Sequence, residues 1–177
     1  EDVARAVADA GLRAVLSSVI IDVSPDSKLH RDNAGKVLDF LKGLNNPLVT
    51  PAIAPHAVYS CSEDTLLWAK DRADKEQISI HTHIAETKTE QAEMENKRKQ
   101  KVVEYLDKIG FLRPNVVAAH CVWLSSNEIK LLAQSGTKVA HCPVSNMKLA
   151  VGAAAPLPEM SGNGVSVGLG TDGAASN

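Results

Sequence analysis

A parallel α/β fold is what this sequence predicts, on three observations. Short apolar runs rich in Val, Ile and Ala alternate with helical patterns along the 177 residues. Strands separated by helices favour parallel pairing, because a parallel neighbour can be reached only through a crossover. Finally, successive runs end at their carboxyl side in a histidine or an aspartate: His56, His83, His120, His141 and Asp172.

The runs cover 12–21, 48–55, 78–83, 115–121, 137–142 and 165–172, and helices are expected over 31–44, 62–75, 89–109 and 125–135, with a weaker one near 156–162. Ahead of them, Val3, Ala6, Val7 and Ala10 form an amphipathic pattern closed by Gly11, so the chain starts inside a helix and reads as a piece of something longer. His30 falls in an expected loop, where a hydrogen-bonded structural role is the ordinary one. Ser125 and Glu128 have the spacing of a capping box, and Gly136 and Gly110 suit the left-handed residue that ends a helix. The charged stretch 88–101 mixes signs and reads as a solvated helix face.

Composition narrows the function classes. With 19 basic and 21 acidic side chains and no dense basic block, the chain gives no electrostatic reason to expect a nucleic-acid partner. No apolar run approaches the roughly 20 residues a membrane helix needs, and the amino-terminal order is not that of a signal peptide. Three cysteines, Cys61, Cys121 and Cys142, without a C-x-x-C, fit small buried hydrophobes in a reducing cytoplasm better than a disulfide framework.

The strand-end residues recur at intervals of 27, 37, 21 and 31 residues. That is about one strand–helix unit each, given that eight units make a barrel of ~250 residues, whose chemistry sits at the carboxyl ends of the strands. Alternation adds to this. Ser79, His81 and His83 share one face while Ile78, Ile80 and Thr82 share the other; His120 lies with Ala118 and Val116, and Asp172 with Gly170, Gly168 and Ser166. Small residues line the face that carries the chemistry, as a crowded barrel interior requires. From the residues alone the reading is a parallel α/β barrel with a histidine-rich rim and a metal-hydrolase character. Within "ISIHTHIAET" (78–87), a metal site, an acid–base pair and a polar strand end all stay open, and for His81 structural and functional roles weigh equally.

The stretches "APHAVYSCSED" (54–64), "HTHIAET" (81–87), "VVAAHCVWL" (116–124), "HCPVSNMKLAVG" (141–152) and "VGLGTDGAASN" (167–177) resemble the amidohydrolase superfamily. Within it, they are similar to the cytosine-deaminase/chlorohydrolase branch and most of all to methylthioadenosine/S-adenosylhomocysteine deaminases. The resemblance implies a partial TIM (β/α)8 barrel covering about strands three to eight, a fragment (1–177) of a single metal-dependent hydrolase domain that lacks the first strands and the carboxyl-terminal part. It implies one divalent metal, zinc or iron, held through an H-x-H pair on the first strand, a fifth-strand histidine matching His83 and an eighth-strand aspartate matching Asp172. The strand count puts "ISIHTH" fifth, so His83 is the expected ligand and His81 its neighbour. The resemblance further implies Glu86 as the proton-transferring glutamate, His120 beside the attacking water, Asp172 as a proton acceptor and His56 as a substrate contact. Ser145 and Asn146, in an expected rim loop, either contact substrate or brace the barrel mouth.

The implied reaction is hydrolytic deamination of an adenosine-type purine, a small-molecule substrate. Triazine chlorohydrolase, guanine deaminase and a non-catalytic α/β module are the alternatives. The first-strand pair is absent from the sequence, and no arginine near Ser18 or Leu29–His30–Arg31 matches those the family places after its third strand. Two ligands instead of three or four are expected to hold metal weakly and leave the isolated chain inactive, and unpaired edge strands are expected to favour self-association as a homo-oligomer.

Overall fold

The structure, a computed structural model, describes residues 1–23 and 27–176. It divides into two compact units, Glu1–His56 with Ser60–His81, and Ala57–Tyr59 with Thr82–Asn177. Both are built from parallel strands and helices, so the α/β partial-barrel expectation is met.

The first unit contains helix α1 (Asp2–Asp9), strands β1 (Ala14–Leu16) and β2 (Val19–Ile20), helix α2 (Ser27–Gly43), strand β3 (Val49–Pro55), helix α3 (Glu63–Glu76) and the first half of strand β4 (Ser79–Ile84). The expected run 12–21 is thus two strands, interrupted at Ser17 and Ser18. Both pieces lie on β3 in one continuous parallel register, Ala14 opposite Val49 and Val19 opposite Ala54. His30 lies in α2 and is half-buried, which corrects the expected loop. β3 pairs in parallel with β4 through Ala52–Ser79 and Ile53–Ile80. Ile20, Ala34, Ile53 and Ala69 form one core cluster and Ala4, Leu41 and Val49 another. α3 begins where Ser62 Oγ accepts the N–H of Thr65 at 3.2 Å, and ends at Gln77 in the left-handed conformation (φ 55°).

The second unit continues with helices α4 (Lys88–Arg98) and α5 (Val102–Lys108), strand β5 (Val116–His120), helix α6 (Ser126–Ser135), strand β6 (Lys138–His141), helices α7 (Pro143–Lys148) and α8 (Leu157–Gly162), and strand β7 (Val167–Leu169). The single helix expected over 89–109 is two. Lys99 turns left-handed (φ 56°), and the new helix opens where Lys101 N–H donates to Glu104 Oε2 at 3.1 Å. α6 follows its capping box, with Ser125 N–H on Glu128 Oε2 at 2.9 Å, and stops at Gly136 (φ 69°), where a Cβ would meet Pro114 Cγ at 3.3 Å. The stretch after His141 was expected as a loop, but Pro143 occupies the first turn of α7, where its fixed φ and missing N–H suit a helix start. β5 pairs with β6 and β6 with β7, all parallel. Ile84, Val102, Leu106, Phe111, Ile129 and Leu132 are fully or almost fully buried here. All three cysteines are buried and outside any disulfide among the described residues, and burial pushes the Cys121 thiol well above its ordinary pKa. No described helix is long and apolar enough to cross a membrane.

Candidate active site

Burial along β4 alternates as the pleat requires. Ile80, Thr82 and Ile84 are buried while Ser79, His81 and His83 are half-buried on the other face. On β5, Val116, Ala118 and His120 share the deeper face, and His120 is 1 % exposed.

The chain leaves these strands by strained steps. Ala85 (φ 51°) follows β4, His120 (φ 73°) and Cys121 (φ 52°) close β5, and Asp172 (φ 62°) follows β7. Left-handed backbone at residues with a Cβ costs on the order of 1–3 kcal/mol each and persists where surrounding contacts over-determine it. Here such contacts are present: Cys121 N–H donates to Ile84 O at 3.0 Å, and Ala85 O accepts from both Val122 N–H (3.0 Å) and Trp123 N–H (2.8 Å). The carboxyl ends of β4 and β5 are thereby laced together within the second unit.

Four sequence-predicted residues meet at this end. The rings of His83 and His120 stack with centroids 5.4 Å apart and planes 19° from parallel. His120 Nε2 lies 3.8 Å from Glu86 Oε2, and its Nδ1 hydrogen-bonds Asn146 Oδ1 at 2.8 Å. With Asn146 Oδ1 as acceptor, Nδ1 is the donor, and Nε2 is the nitrogen turned toward Glu86. Ser145, fully buried, donates from Oγ to Asp172 Oδ2 at 2.6 Å. Asp172 also accepts from Ser176 Oγ (3.0 Å) and from Gly173 N–H (2.8 Å). These groups hold its carboxyl below the ordinary range, Ser145 most strongly, against an opposing effect of burial; the His120 charge adds to the lowering. Thus Ser145 and Asn146 sit on helix α7 and brace Asp172 and His120.

β7 ends at Leu169, so Asp172 comes three residues after the strand rather than at its last position. Gly170 lets the backbone pass close to β6: its N–H donates to His141 O at 2.8 Å, and a Cβ there would stand 2.9 Å from Cys142 Sγ. His141 is 8 % exposed, with Nδ1 buried and without a hydrogen-bond partner among the described residues, and burial, then the nearby His120, lowers its pKa. His141 and Asn146 line a cavity of about 430 Å³ with Met147, Ala150 and Leu157.

His56 and His81 belong to the first unit. His56 Nδ1 bonds Ser60 Oγ at 2.7 Å and its N–H donates to Ile20 O at 3.0 Å. His81 Nε2 lies 3.3 Å from Ser79 Oγ, and burial lowers its pKa.

Two buried carboxyls were missed by reading 88–101 as solvated or α6 as merely capped. Glu90 is 3 % exposed and Glu128 fully buried. Burial raises the Glu90 pKa to about 7, with the Glu86 charge adding and backbone hydrogen bonds opposing. A signal existed: Thr87–Lys88–Thr89–Glu90 has capping-box spacing, and Thr87 Oγ1 does accept Glu90 N–H at 3.1 Å. The Glu90 side chain, however, reaches past Thr87 to the N–H of Glu86, at 2.8 Å.

Imidazole nitrogen and carboxylate oxygen at His83 and Asp172 are donor types that zinc takes. Among the described residues, no three His, Cys, Asp or Glu side chains converge as a ligand set. Donor type therefore fits a metal, and His83 and Asp172 are the residues that would hold it.

Comparison with known proteins adds the family context. The profile described as amidohydrolase family matches residues 1–177. A 5'-deoxyadenosine deaminase of Methanothrix thermoacetophila is 46 % identical over 178 residues, covering 100 % of this chain and 41 % of that protein. A 5-methylthioadenosine/S-adenosylhomocysteine deaminase of Aquifex aeolicus is 44 % identical over 183 residues, again 100 % of this chain and 41 % of the relative. Among solved structures, an adenosine deaminase from Xanthomonas campestris with bound zinc superposes with a TM-score of 0.90 at 32 % identity, covering 98 % of this chain and 40 % of that one. The chain spans about two-fifths of the length of these relatives.

Proposed function

The chain belongs to the amidohydrolase family, and from that premise we propose that it is part of a single barrel domain catalysing hydrolytic deamination of an adenosine-type nucleoside. The observation that carries the reading is the cluster in which His120 Nε2 lies 3.8 Å from Glu86 Oε2, with the His83 ring stacked on His120. The names of relatives 46 % and 44 % identical to this chain over the aligned residues, 5'-deoxyadenosine deaminase and methylthioadenosine/S-adenosylhomocysteine deaminase, favour the substrate class.

In this reading, His83 and Asp172 help to hold one divalent metal, zinc or iron, the zinc named with the Xanthomonas structure supporting the first. When bound, such a metal supplies an activated water at neutral pH. Glu86 takes the proton that the attacking water gives up and passes it to the purine ring nitrogen next to the carbon under attack, so that charge does not build up on the ring. His120, anchored at Nδ1 by Asn146, turns Nε2 toward the attacking water and, as the imidazolium, offsets the negative charge that develops there. Asp172, kept ionised by Ser145, takes a proton and returns it to the departing ammonia.

The test is an assay of the whole protein, supplied with zinc or ferrous iron, on 5'-deoxyadenosine, 5'-methylthioadenosine, guanine and a chlorotriazine. Ammonia released from the two adenosine-type compounds is expected. Release from guanine alone, chloride from the triazine alone, or no turnover by the metal-loaded protein overturns the reading.

A further inference from the structure

The proposed chemistry leaves one buried acid next to the site without a task. Glu90 is 3 % exposed, and no lysine or arginine pairs with it among the described residues. Its Oε2 accepts the N–H of Glu86 at 2.8 Å, and its Oε1 is buried without a hydrogen-bond partner among them. Thr87 Oγ1 caps α4 by accepting Glu90 N–H at 3.1 Å, and the Glu90 carboxyl also bears on the N–H groups of Ala85 and Thr87.

The same peptide unit is held at its other end. The carbonyl of Ala85 accepts from Val122 N–H and Trp123 N–H at 3.0 and 2.8 Å. Both polar atoms of the Ala85–Glu86 peptide are therefore taken, the carbonyl by the segment that follows β5 and the N–H by Glu90. A peptide fixed at C=O and N–H has its plane set, and with it the direction in which the Glu86 side chain leaves the backbone. Ala85 is left-handed (φ 51°), so without such ties the turn would relax toward commoner backbone.

We propose that Glu90 is a positioning residue that clamps the Ala85–Glu86 peptide and so aims the Glu86 carboxylate at the reacting ring. Only the acceptor oxygen is needed. Glutamine in its place keeps the clamp, whereas alanine, or aspartate with one methylene fewer, releases it. The proposal rests on Glu86 being the proton-transferring group.

Four variants of the whole protein test it: Glu90→Gln, Glu90→Ala, Glu90→Asp and Glu86→Gln, each followed by kcat, KM, thermal melting and hydrogen exchange of the Glu86 amide. In Glu90→Ala, a fall in kcat of about 100-fold, the cost of misplacing a reacting group by about an ångström, is expected with KM within about threefold of wild type. The Glu86 amide loses its protection in the same variant, and Glu90→Gln restores both kcat and protection. If Glu90→Ala does not fold, Glu90→Asp takes its place with the same expectation. Wild-type kcat in a folded variant lacking the acceptor overturns the proposal, as does loss of kcat with the Glu86 amide still protected, or failure of Glu90→Gln to restore activity. Glu86→Gln separates the two layers: its full activity would refute the role of Glu86 itself, and this proposal with it. An inactive Glu86→Gln beside an active Glu90→Ala would refute the clamp alone.

Discussion

In the first unit, the deeper carboxylates meet cations. Asp22 accepts from Ser62 and Thr65 and has Arg31 Nη2 at 3.7 Å, while Glu76 sits 2.6 Å from Lys42 Nζ and 3.1 Å from Arg72 Nη2. In the second unit, the buried carboxyls meet no cation among the described residues. Glu128 takes Val103 N–H (3.2 Å), Gln91 Nε2 (3.0 Å) and Ser125 N–H (2.9 Å), and Glu90 takes Glu86 N–H (2.8 Å). The first arrangement ties side chains chiefly to side chains, with one backbone N–H, that of Ser62, on Asp22 Oδ1 at 2.7 Å. The second pins backbone, at the start of α5, at the start of α6 and at the turn that bears Glu86. Placing reactive groups to within half an ångström is a backbone task, and carboxyls bonded to N–H groups inside the fold perform it where a surface ion pair does not.

Glu128→Ala breaks this comparison most severely. It takes the acceptor from Val103 N–H and Ser125 N–H and one of the two acceptors from Gln91 Nε2, which keeps Trp123 O, and a loss of about 3–5 kcal/mol in urea-unfolding stability is expected. A loss below about 1 kcal/mol would mean the network is replaceable by water.

Glu90 gives a pH dependence of definite sign. Its folded pKa, about 7, lies above the ordinary 4.5, so the folded state binds the extra proton between those values and stability falls as pH rises through that window. Glu90→Gln, which cannot ionise, removes this fall, with a difference of about 2–3 kcal/mol between pH 4.5 and pH 8 in paired denaturation curves. Parallel curves for the two proteins would show that Glu90 is ionised without penalty.

Asp22 behaves in the opposite sense. Burial acts to raise its pKa, but the Ser62 and Thr65 hydrogen bonds and the Arg31 charge prevail and lower it below 3.8. Its contribution is therefore complete above 3.8 and is lost as pH falls through the depressed folded value. Asp22→Asn should cost about 1–2 kcal/mol at pH 7 and flatten the acid limb of the stability curve. An unchanged acid limb would locate acid sensitivity elsewhere. The smallest effect expected is for Gly136→Ala, about 1 kcal/mol, from a left-handed residue facing Pro114 at the end of α6; an unchanged melting temperature would show that the turn adjusts.

Much of this was legible in the sequence, for physical reasons. β4 and β5 show their faces because one side is buried, so Ile80 and Ile84 alternate with His81 and His83. α6 announces itself through Ser125, Glu128 and Gly136, whose side chains or absence of one act locally. The break at Lys99 was not legible, since a lysine seldom adopts φ 56° and what stabilises the break is remote: Val102 N–H on Gln91 Oε1 at 3.0 Å, eleven residues away. Burial of Glu90 and Glu128 was hidden likewise, because a charge in a mixed-sign stretch reads as solvated until the partners folded against it are known. In the candidate site, His120 and His141 close their strands as the spacing predicts, whereas Asp172 lies three residues past β7. Their supports were less legible: Ser145 and Asn146 were noticed, but that they hold Asp172 and His120 depends on α7 forming where a loop was expected.

The most direct test of the account is turnover of 5'-deoxyadenosine by the metal-supplied whole protein carrying His120→Gln, with melting recorded alongside. The account predicts a kcat lower by about 100-fold or more, since an imidazole placed at the reacting water is worth about that much, in a protein that still melts cooperatively. A folded His120→Gln protein turning over at the wild-type rate would contradict it.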